Sequence, residues 1–419
     1  MRAAIKSHDF GTVFRLAREA GVSYSKIAAE CDMKPERVGL LARGQGIVTT
    51  FEKIARIADA LRIPGHLLGL APRSWEAPVS PHPAHAAPAD DGDDVRRRKF
   101  VRNATGVGLA VGLHELTRPR TGGRIGADVP GRLRARTARL RRLDDVLGGG
   151  DTYRVYLGEY ESTKALLRDS TYTEGTGKEL LSVLAEQAQQ AGWAAFDGGR
   201  QRDATGLYED SHRAAVEAGD TELAGNALAF LAYQALNGDQ RAAIDVAARS
   251  CATAGPDAAP GVRALLYERL AWAYAVAGLA DETERALQTA KDALSQVDGT
   301  PQPDWVAWVD ETELQIMTGR CWTELHRPLR AVPVLEAALA RYDDAHARDK
   351  SLYLSWLADS YLTAGEVEQA AAVSVRALDL CAGVASVRPR ARLAPVLGRL
   401  SQHQTVPAVA EVLDKARTV

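Results

Sequence analysis

The sequence contains few residues whose type and spacing suit catalysis or metal binding. It has no HExxH pair of zinc ligands, no phosphate-binding P-loop and no GxSxG nucleophile turn. The cysteines lie too far apart for a zinc or redox motif, at Cys31, Cys251, Cys321 and Cys381. Scattered carboxylates on helices are typical of solvated faces. We therefore expect a protein that is not an enzyme and that binds no metal and no cofactor.

Two smaller patterns also fail to indicate a site. His82 and His85 lie in a segment rich in Pro and Ala, and no further metal ligand is near them in the sequence. Gly106 and Gly108 do not follow a predicted strand, which a dinucleotide-binding loop requires. Neither pair is expected to bind a ligand.

The charges are distributed unevenly along the chain. Residues 1–75 contain 12 Lys or Arg and 7 Asp or Glu, whereas the remainder contains 40 basic and 47 acidic residues. The whole chain has 419 residues, is 46% hydrophobic and has a net charge of −2, which is an ordinary composition for a protein with a buried core. A small basic module joined to an acidic body suggests that the module meets a polyanion.

Apolar residues recur at helical spacing in the basic module. Ser23 is a good N-cap, and Pro35 suits the first turn of a helix, where its missing N–H has no cost. The pattern predicts five helices, over residues 9–20, 23–31, 35–44, 51–61 and 64–70. Two short helices joined by a tight turn describe a helix-turn-helix motif.

These residues resemble the phage-repressor (Xre/Cro-type) helix-turn-helix family over roughly 70 residues. The matching positions are Ser23, Ile27, Ala28, Met33, Val38, Leu41, Arg43 and Gly44. Three positions depart from the family: Tyr24 stands for the usual Gln, Asp32 for the usual Gly of the turn, and Ala42 for the usual Glu. The resemblance implies that the second helix of the pair lies in the major groove of DNA.

The same resemblance implies which side chains contact DNA. Arg37 is the candidate for a guanine contact and Glu36 for a cytosine contact. The residues expected at the base edges are Lys34, Glu36, Arg37 and Leu40. Those expected at phosphates are Tyr24, Ser25, Arg43, Gln45, Thr49 and Thr50. The alternative is that Glu36 and Arg37 are only solvated surface charges.

The segment after the basic module changes composition. Residues 76–95 are rich in Pro and Ala and contain five acidic residues without a Lys or Arg, which predicts a flexible linker. Residues 96–130 are expected to form a connector with a docking helix. The predicted domains are therefore 1–75, the linker 76–95, the connector 96–130, and a helical domain over 131–419.

An internal repeat runs through the helical domain. The tetratricopeptide (TPR) pattern has a small residue at position 8, which Gly192, Ala232, Ala271, Gly319 and Ala358 match at spacings of 39 to 48 residues. This pattern predicts five helix pairs, with a divergent hairpin at 131–175 and a capping pair at 387–417. The resulting fold is all-α, a TPR solenoid after the helix-turn-helix domain and linker. Chance matches in an Ala-rich helical bundle are the alternative.

The first helix of each TPR pair lines the concave face of the solenoid. Its inward positions carry amides, aromatic rings and charges that suit an extended peptide. The predicted groove residues are Gln189, Trp193, Phe196, Asn226, Tyr233, Asn237, Glu268, Trp272, Glu313, Arg320 and Asp359. The alternative is that Trp193, Tyr233 and Trp272 only pack in the interfaces between neighbouring helices.

The combination of the two domains resembles actinobacterial TPR regulators and the peptide-sensing quorum regulators of Gram-positive bacteria. The resemblance implies a homodimeric transcription factor that binds an operator in double-stranded DNA and senses a peptide, small-molecule or protein effector. The alternative function is a TPR adaptor that recruits a protein partner and binds DNA weakly. No run of about 18 apolar residues and no secretory signal is present, so we expect a cytoplasmic protein with no membrane partner.

Overall fold

The chain divides into two compact units, Met1–Arg118 (unit 1) and Pro119–Val419 (unit 2). The computed structural model describes residues 4–5, 8–19, 22–31, 33–46, 48, 51–61, 63, 68 and 123–418, apart from 237, 298, 300, 301 and 383. It does not describe the side chains of 51, 52, 143–147, 345 and 418. Most of the predicted helix at 64–70, the linker 76–95 and most of the connector 96–130 lie outside these residues.

Unit 1 contains the first four predicted helices. They are α1 (Phe10–Glu19), α2 (Tyr24–Glu30), α3 (Pro35–Ala42) and α4 (Phe51–Ala60). The Ser23 side chain accepts a hydrogen bond from the Lys26 amide at 3.2 Å, and Pro35 is the first residue of α3, as its sequence position predicts. The apolar positions of the four helices form one buried cluster, which includes Phe10, Phe14, Ile27, Val38, Leu41 and Ile57.

Unit 2 is built from helices along its whole length. They are α5 (Val129–Leu147), α6 (Gly149–Asp169), α7 (Glu174–Asp197), α8 (Gln201–Ala218), α9 (Thr221–Ala235), α10 (Gln240–Ala254), α11 (Pro260–Val276), α12 (Ala280–Leu294), α13 (Glu311–Glu324), α14 (Pro328–Arg341), α15 (Ala347–Ala364), α16 (Val367–Cys381), α17 (Arg388–Leu400) and α18 (Pro407–Thr418). Short 3₁₀ turns at Asp304–Val306 and Asp344–His346 interrupt the series. Among the described residues no strand occurs.

The five predicted repeats are observed as helix hairpins. Helices α7 and α8, α9 and α10, α11 and α12, α13 and α14, and α15 and α16 pack as consecutive pairs. Every position-8 residue lies in the first helix of its pair, so the all-helical, TPR-like repeat architecture is confirmed. The longest spacing, between Ala271 and Gly319, contains the segment with the turn Asp304–Val306.

Small residues at position 8 allow the two helices of a pair to approach closely. A Cβ atom added at Gly192 would lie 2.5 Å from the ring of Tyr208, and one added at Gly319 would lie 2.4 Å from Leu335 Cγ. These distances are shorter than real contacts, so no larger residue fits without movement. The bulky partner in the second helix fills the space above the glycine, which is the physical reason for the sequence spacing.

The solenoid of unit 2 curls until its last helices meet its first ones. The Ser386 hydroxyl donates to Asp197 Oδ1 at 2.8 Å, and the Val387 amide donates to the Asp197 carbonyl at 3.0 Å. The Gly150 amide donates to the Ala385 carbonyl at 2.8 Å. We call this contact between 385–388 and the α6–α7 region the seam. It narrows the predicted open groove to a partly open cavity.

The glycine run at the start of α6 makes the seam possible. Cβ atoms added at Gly149 and Gly150 would lie 2.4 Å from the Ala194 carbonyl oxygen and 2.8 Å from the Ala385 carbonyl oxygen. Both obstacles are backbone atoms, which cannot rotate away. The sequence therefore requires glycine at the place where three chain segments meet.

Candidate functional site

The seam borders a partly open cavity of about 650 Å³ in unit 2, which we call the chamber. Its wall consists of side chains from α5, from the first helices of the hairpins, from α17 and from segments 304–310 and 341–349. This volume lies in the range of small-molecule sites.

Six of the eleven predicted groove residues line the chamber. They are Gln189, Trp193, Asn226, Glu268, Glu313 and Arg320. Asn237 lies outside the described residues. The four others lie behind the wall or away from it: Phe196, Tyr233, Trp272 and Asp359.

The predicted amides are largely used within the protein. The Asn226 side-chain amide donates to Gln189 Oε1 at 2.7 Å, and Gln189 donates to Ser211 Oγ at 3.0 Å and to the Leu223 carbonyl at 2.9 Å. These bonds join α7, α8 and α9. They fix the orientation of both amides, so an extended peptide would find few amide groups available to it.

Three arginine side chains converge beside Tyr233. Arg320 Nη2 lies 3.2 Å and Arg388 Nη2 lies 3.3 Å from the Tyr233 hydroxyl, and the Arg269 guanidinium lies 5.4 Å from the ring centroid. Burial raises the pKa of the Tyr233 hydroxyl, but Arg320, Arg388 and Arg269 outweigh that effect and lower it to about 7. Tyr233 therefore acts as a partial counter-charge to this arginine group.

Aromatic rings hold the arginine side chains in place. The Arg320 guanidinium lies between Trp272 at 4.4 Å and Trp356 at 4.2 Å from the ring centroids. Arg388 lies 4.5 Å from the ring centroid of Trp193. Such cation–π contacts stabilise a cation without neutralising it. Trp272 therefore lies behind the chamber wall and supports Arg320, which is a wall residue.

Buried carboxyl groups face the same space. Glu268 is 1% exposed and its Oε1 atom has no hydrogen-bond partner, and burial raises the pKa of its carboxyl to about 8. Glu313 accepts hydrogen bonds from the hydroxyls of Tyr342 and Tyr353, and burial raises its pKa to about 7. Both groups are therefore largely or partly protonated near neutral pH, which reduces the negative charge in the wall.

Several wall residues were not among the predicted ones. Trp305 and Trp308 belong to the long interval between the third and fourth repeats, and that irregular spacing is the signal that could have identified them. Arg269 is adjacent in sequence to the predicted Glu268. Arg388 enters the wall only because the seam brings the start of α17 to α7, and no repeat pattern contains that information.

Asp359 has a different role from the one predicted for it. It forms ion pairs with Arg392 at 2.7 Å and with Arg399, both in α17. These pairs fasten α17 to α15 outside the chamber wall. The carboxylate therefore contributes to the position of the helix that carries Arg388.

In unit 1, the predicted DNA-contacting residues are mostly exposed. Tyr24 and Leu40 are half-buried, and Thr49 and Thr50 lie outside the described residues. The exposed ones are Ser25, Lys34, Glu36, Arg37, Arg43 and Gln45. The Arg37 guanidinium lies against Gly46, and the Arg18 guanidinium lies 4.7 Å from the ring centroid of Tyr24. These contacts restrain both predicted residues on the surface.

Two other kinds of feature are absent from the described residues. No group of three or more His, Cys, Asp or Glu side chains is arranged to hold a metal ion. No helix in the described part of the chain combines the length and the apolar character needed to cross a membrane.

Comparison with known proteins identifies no family. No protein-family model and no curated protein matches the sequence. A structure search finds the crystal structure of the P58(IPK) TPR domain, which is 15% identical and covers 92% of this chain and 100% of that one, with a TM-score of 0.19. A TM-score this low does not establish a common fold, so the repeat architecture rests on the observed helix pairs.

Proposed function

We propose that this chain is a DNA-binding regulator controlled by a ligand that occupies the chamber. The observation that carries the DNA-binding part is the exposed beginning of α3. Lys34, Glu36 and Arg37 are exposed there, whereas Val38 and Leu41 are buried in the core of unit 1. A short helix held by its apolar face, with polar residues at its amino-terminal end, has the form of a recognition helix.

The helix before α3 supports the same proposal. Helix α2 has seven residues and α3 has eight, and residues 31–34 join them. The net charge of +5 over residues 1–75 favours contact with the phosphate backbone. Because one such motif reads only one half-site, we propose that the regulator binds DNA as a homodimer.

The chamber supports control by a ligand. Its wall contains buried polar atoms without partners, at Glu268 Oε1 and Arg320 Nε. Unpartnered buried polar atoms are unfavourable for stability and are found where a ligand completes the hydrogen bonding. A ligand that stabilises one arrangement of the repeat unit would shift the population that binds DNA.

The proposal is tested by selecting sequences from a library of random duplexes with the full chain at several salt concentrations. We expect one motif, present twice in the preferred site, and an affinity that falls steeply as salt increases. If no sequence is enriched and binding disappears at moderate salt, the DNA-binding proposal is wrong.

We predict that Arg37→Ala relaxes selection at one base pair, by about 1–3 kcal/mol of discrimination, because a bidentate contact with a guanine is lost. The matched control is Arg15→Ala, an exposed arginine of α1. This control is expected to leave the selected motif unchanged. An unchanged motif for Arg37→Ala would show that Arg37 is only a solvated charge.

A protein-interaction scaffold is the second candidate function. Helical-hairpin repeats commonly present extended binding surfaces. The observation that favours it here is Leu329, which is 88% exposed at the start of α14. A chain that enriches no DNA sequence, but that forms a complex which Leu329→Ser abolishes, would support this candidate.

A further inference from the structure

The arginine group beside Tyr233 has too few carboxylate partners. Arg388 lies 3.6 Å from Asp197, a carboxylate that also accepts hydrogen bonds from Gly149 and Ser386. Arg320 is 4% exposed, and its Nε atom has no hydrogen-bond partner. Within the described part of the chain, the Arg269 guanidinium lies over the rings of Tyr233 and Trp308 and makes no hydrogen bond or ion pair.

Uncompensated cations of this kind are costly in a protein interior. A buried charge without a partner destabilises the fold by several kcal/mol, and the usual remedy is loss of the charge. An arginine side chain cannot use that remedy, because the guanidinium remains protonated at any ordinary pH. Arg320 is buried, and Arg269 and Arg388 are half-buried. Three such side chains around one phenol therefore indicate that a negative charge from outside completes the site.

The neighbouring acidic groups supply only part of that charge. The carboxyls of Glu268 and Glu313 have pKa values raised by burial to about 8 and about 7, so they are largely or partly neutral near pH 7. Asp349 is paired with Arg348 at 3.0 Å. The part of the wall formed by Arg269, Arg320 and Arg388 is therefore positive.

Among its many polar and charged residues, the wall also carries a group of aromatic rings. Trp193, Phe230, Trp305 and Trp308 line the chamber, and ring planes of this kind favour flat apolar groups. The volume of about 650 Å³ excludes a folded partner and suits a small molecule.

We propose that the chamber binds a small organic anion with a flat apolar body, and that the acidic group of this ligand lies between Arg269, Arg320 and Arg388. Two or more guanidinium groups bind a carboxylate or phosphate through charge-assisted hydrogen bonds. The inference rests on the proposed role of the chamber as an effector site, and it names the chemical class of the effector.

The test is calorimetric titration of the full chain with 2-naphthoate, with 2-naphthamide as an uncharged ligand of the same shape, and with inorganic phosphate. We expect 2-naphthoate to bind at least about tenfold more tightly than 2-naphthamide, because only the anion compensates the guanidinium groups. Equal binding of the two ligands would overturn the proposal.

Tyr233 gives an independent readout of the same event. The charged groups around its hydroxyl are Arg269 on α11, Arg320 on α13 and Arg388 on α17, and Tyr208 on α8 is a titratable neighbour. Arg388 also lies 3.6 Å from Asp197 on α7. A bound anion offsets the three arginines, so the pKa of Tyr233 should rise from about 7. The titration is followed by tyrosinate absorbance, and Tyr233→Phe assigns the signal. If neither 2-naphthoate nor phosphate binds or moves this titration, the proposal is wrong.

Arg269→Gln distinguishes a binding role from a structural one. We expect it to weaken 2-naphthoate binding at least about tenfold, to leave 2-naphthamide binding unchanged, and not to lower the thermal unfolding midpoint, because an uncompensated charge is removed. The matched control is Arg142→Gln, a wall arginine whose side chain is 63% exposed, which should change binding less than about threefold.

A lower unfolding midpoint for Arg269→Gln, with equal loss of both ligands, would assign the residue a structural role and overturn the proposal. These experiments measure only ligand binding in the chamber, and not DNA binding. Anion binding without sequence-selective DNA binding would support this inference and contradict the proposed regulator. Sequence-selective DNA binding without anion binding would support the regulator and contradict this inference.

Discussion

Glu268 combines three properties that rarely occur together in one residue. It is buried, one of its carboxyl oxygens has no partner, and its pKa is raised to about 8 by burial. The sequence identified it as an inward-facing position of the third repeat. Its protonation could not be predicted, because that depends on how completely the chamber removes the carboxyl from water.

We predict that Glu268→Gln stabilises the protein at pH 8 by roughly 1–3 kcal/mol, and has little effect near pH 5. The folded state of the native protein holds the carboxyl proton more tightly than the unfolded state does. Its stability therefore falls as the pH rises from the ordinary value of 4.5 towards about 8, and an amide removes this dependence.

Denaturant unfolding of both proteins at pH 5 and pH 8 measures this difference. Glu209→Gln, an exposed residue of α8, is the matched control and should show no pH-dependent change. An equal effect of Glu268→Gln at both pH values would contradict the prediction.

Residue identity alone could not predict most of the arginine group. Arg320 was identified from its repeat position, and Arg269 lies one residue from a predicted position. Arg388 was missed because a nearest-neighbour repeat pattern places α17 at the end of a stack, far from α7. Conversely, Gln189 and Asn226 line the chamber, but they bond to each other.

At the scale of helices, small residues explain why the sequence predicted the hairpins so well. The small residue at position 8 meets a steric requirement between the two helices of one pair. This requirement is local in sequence, so the sequence pattern shows it. Gly192 shows this directly, because the Tyr208 ring above it is also stacked on Phe230 at 4.8 Å and has no room to move.

We predict opposite effects for two Gly→Ala substitutions in this hairpin. Gly192→Ala should destabilise the protein by about 1–3 kcal/mol, since the added methyl overlaps the fixed Tyr208 ring. Gly206→Ala in α8, where nothing lies within 4 Å of an added Cβ, should stabilise it by about 0.5–1 kcal/mol through helix propensity. Thermal unfolding measures both, and a stabilising Gly192→Ala would refute the close approach.

At the scale of unit 2, the seam joins the late helices of the solenoid to the early ones beside the chamber. Asp197 is fully buried within it and accepts hydrogen bonds from the Gly149 amide at 2.8 Å and the Ser386 hydroxyl at 2.8 Å. The sequence predicted helices on both sides of the seam but not their contact. The run Gly148–Gly150 was the available signal, and its meaning depends on which segment approaches it.

We predict that Asp197→Asn destabilises unit 2 by roughly 1–3 kcal/mol, because an amide has one acceptor oxygen for two donors. The amide of Val387 should then exchange its hydrogen faster, since its partner is the Asp197 carbonyl. Asp203→Asn, an exposed carboxylate of α8, serves as the control. Unaltered exchange at Val387 would mean that the backbone bonds hold the seam without the carboxylate.

The seam also changes how the repeat unit should come apart. In an open stack of hairpins, stability is close to a sum over neighbouring repeats, and the ends can fray independently. The contact between Asp197 and Ser386 spans 189 residues, so it couples the first hairpins to the last. The hairpins between these two residues then have no free end from which fraying begins. We expect its hairpins to unfold as a single cooperative unit rather than one after another.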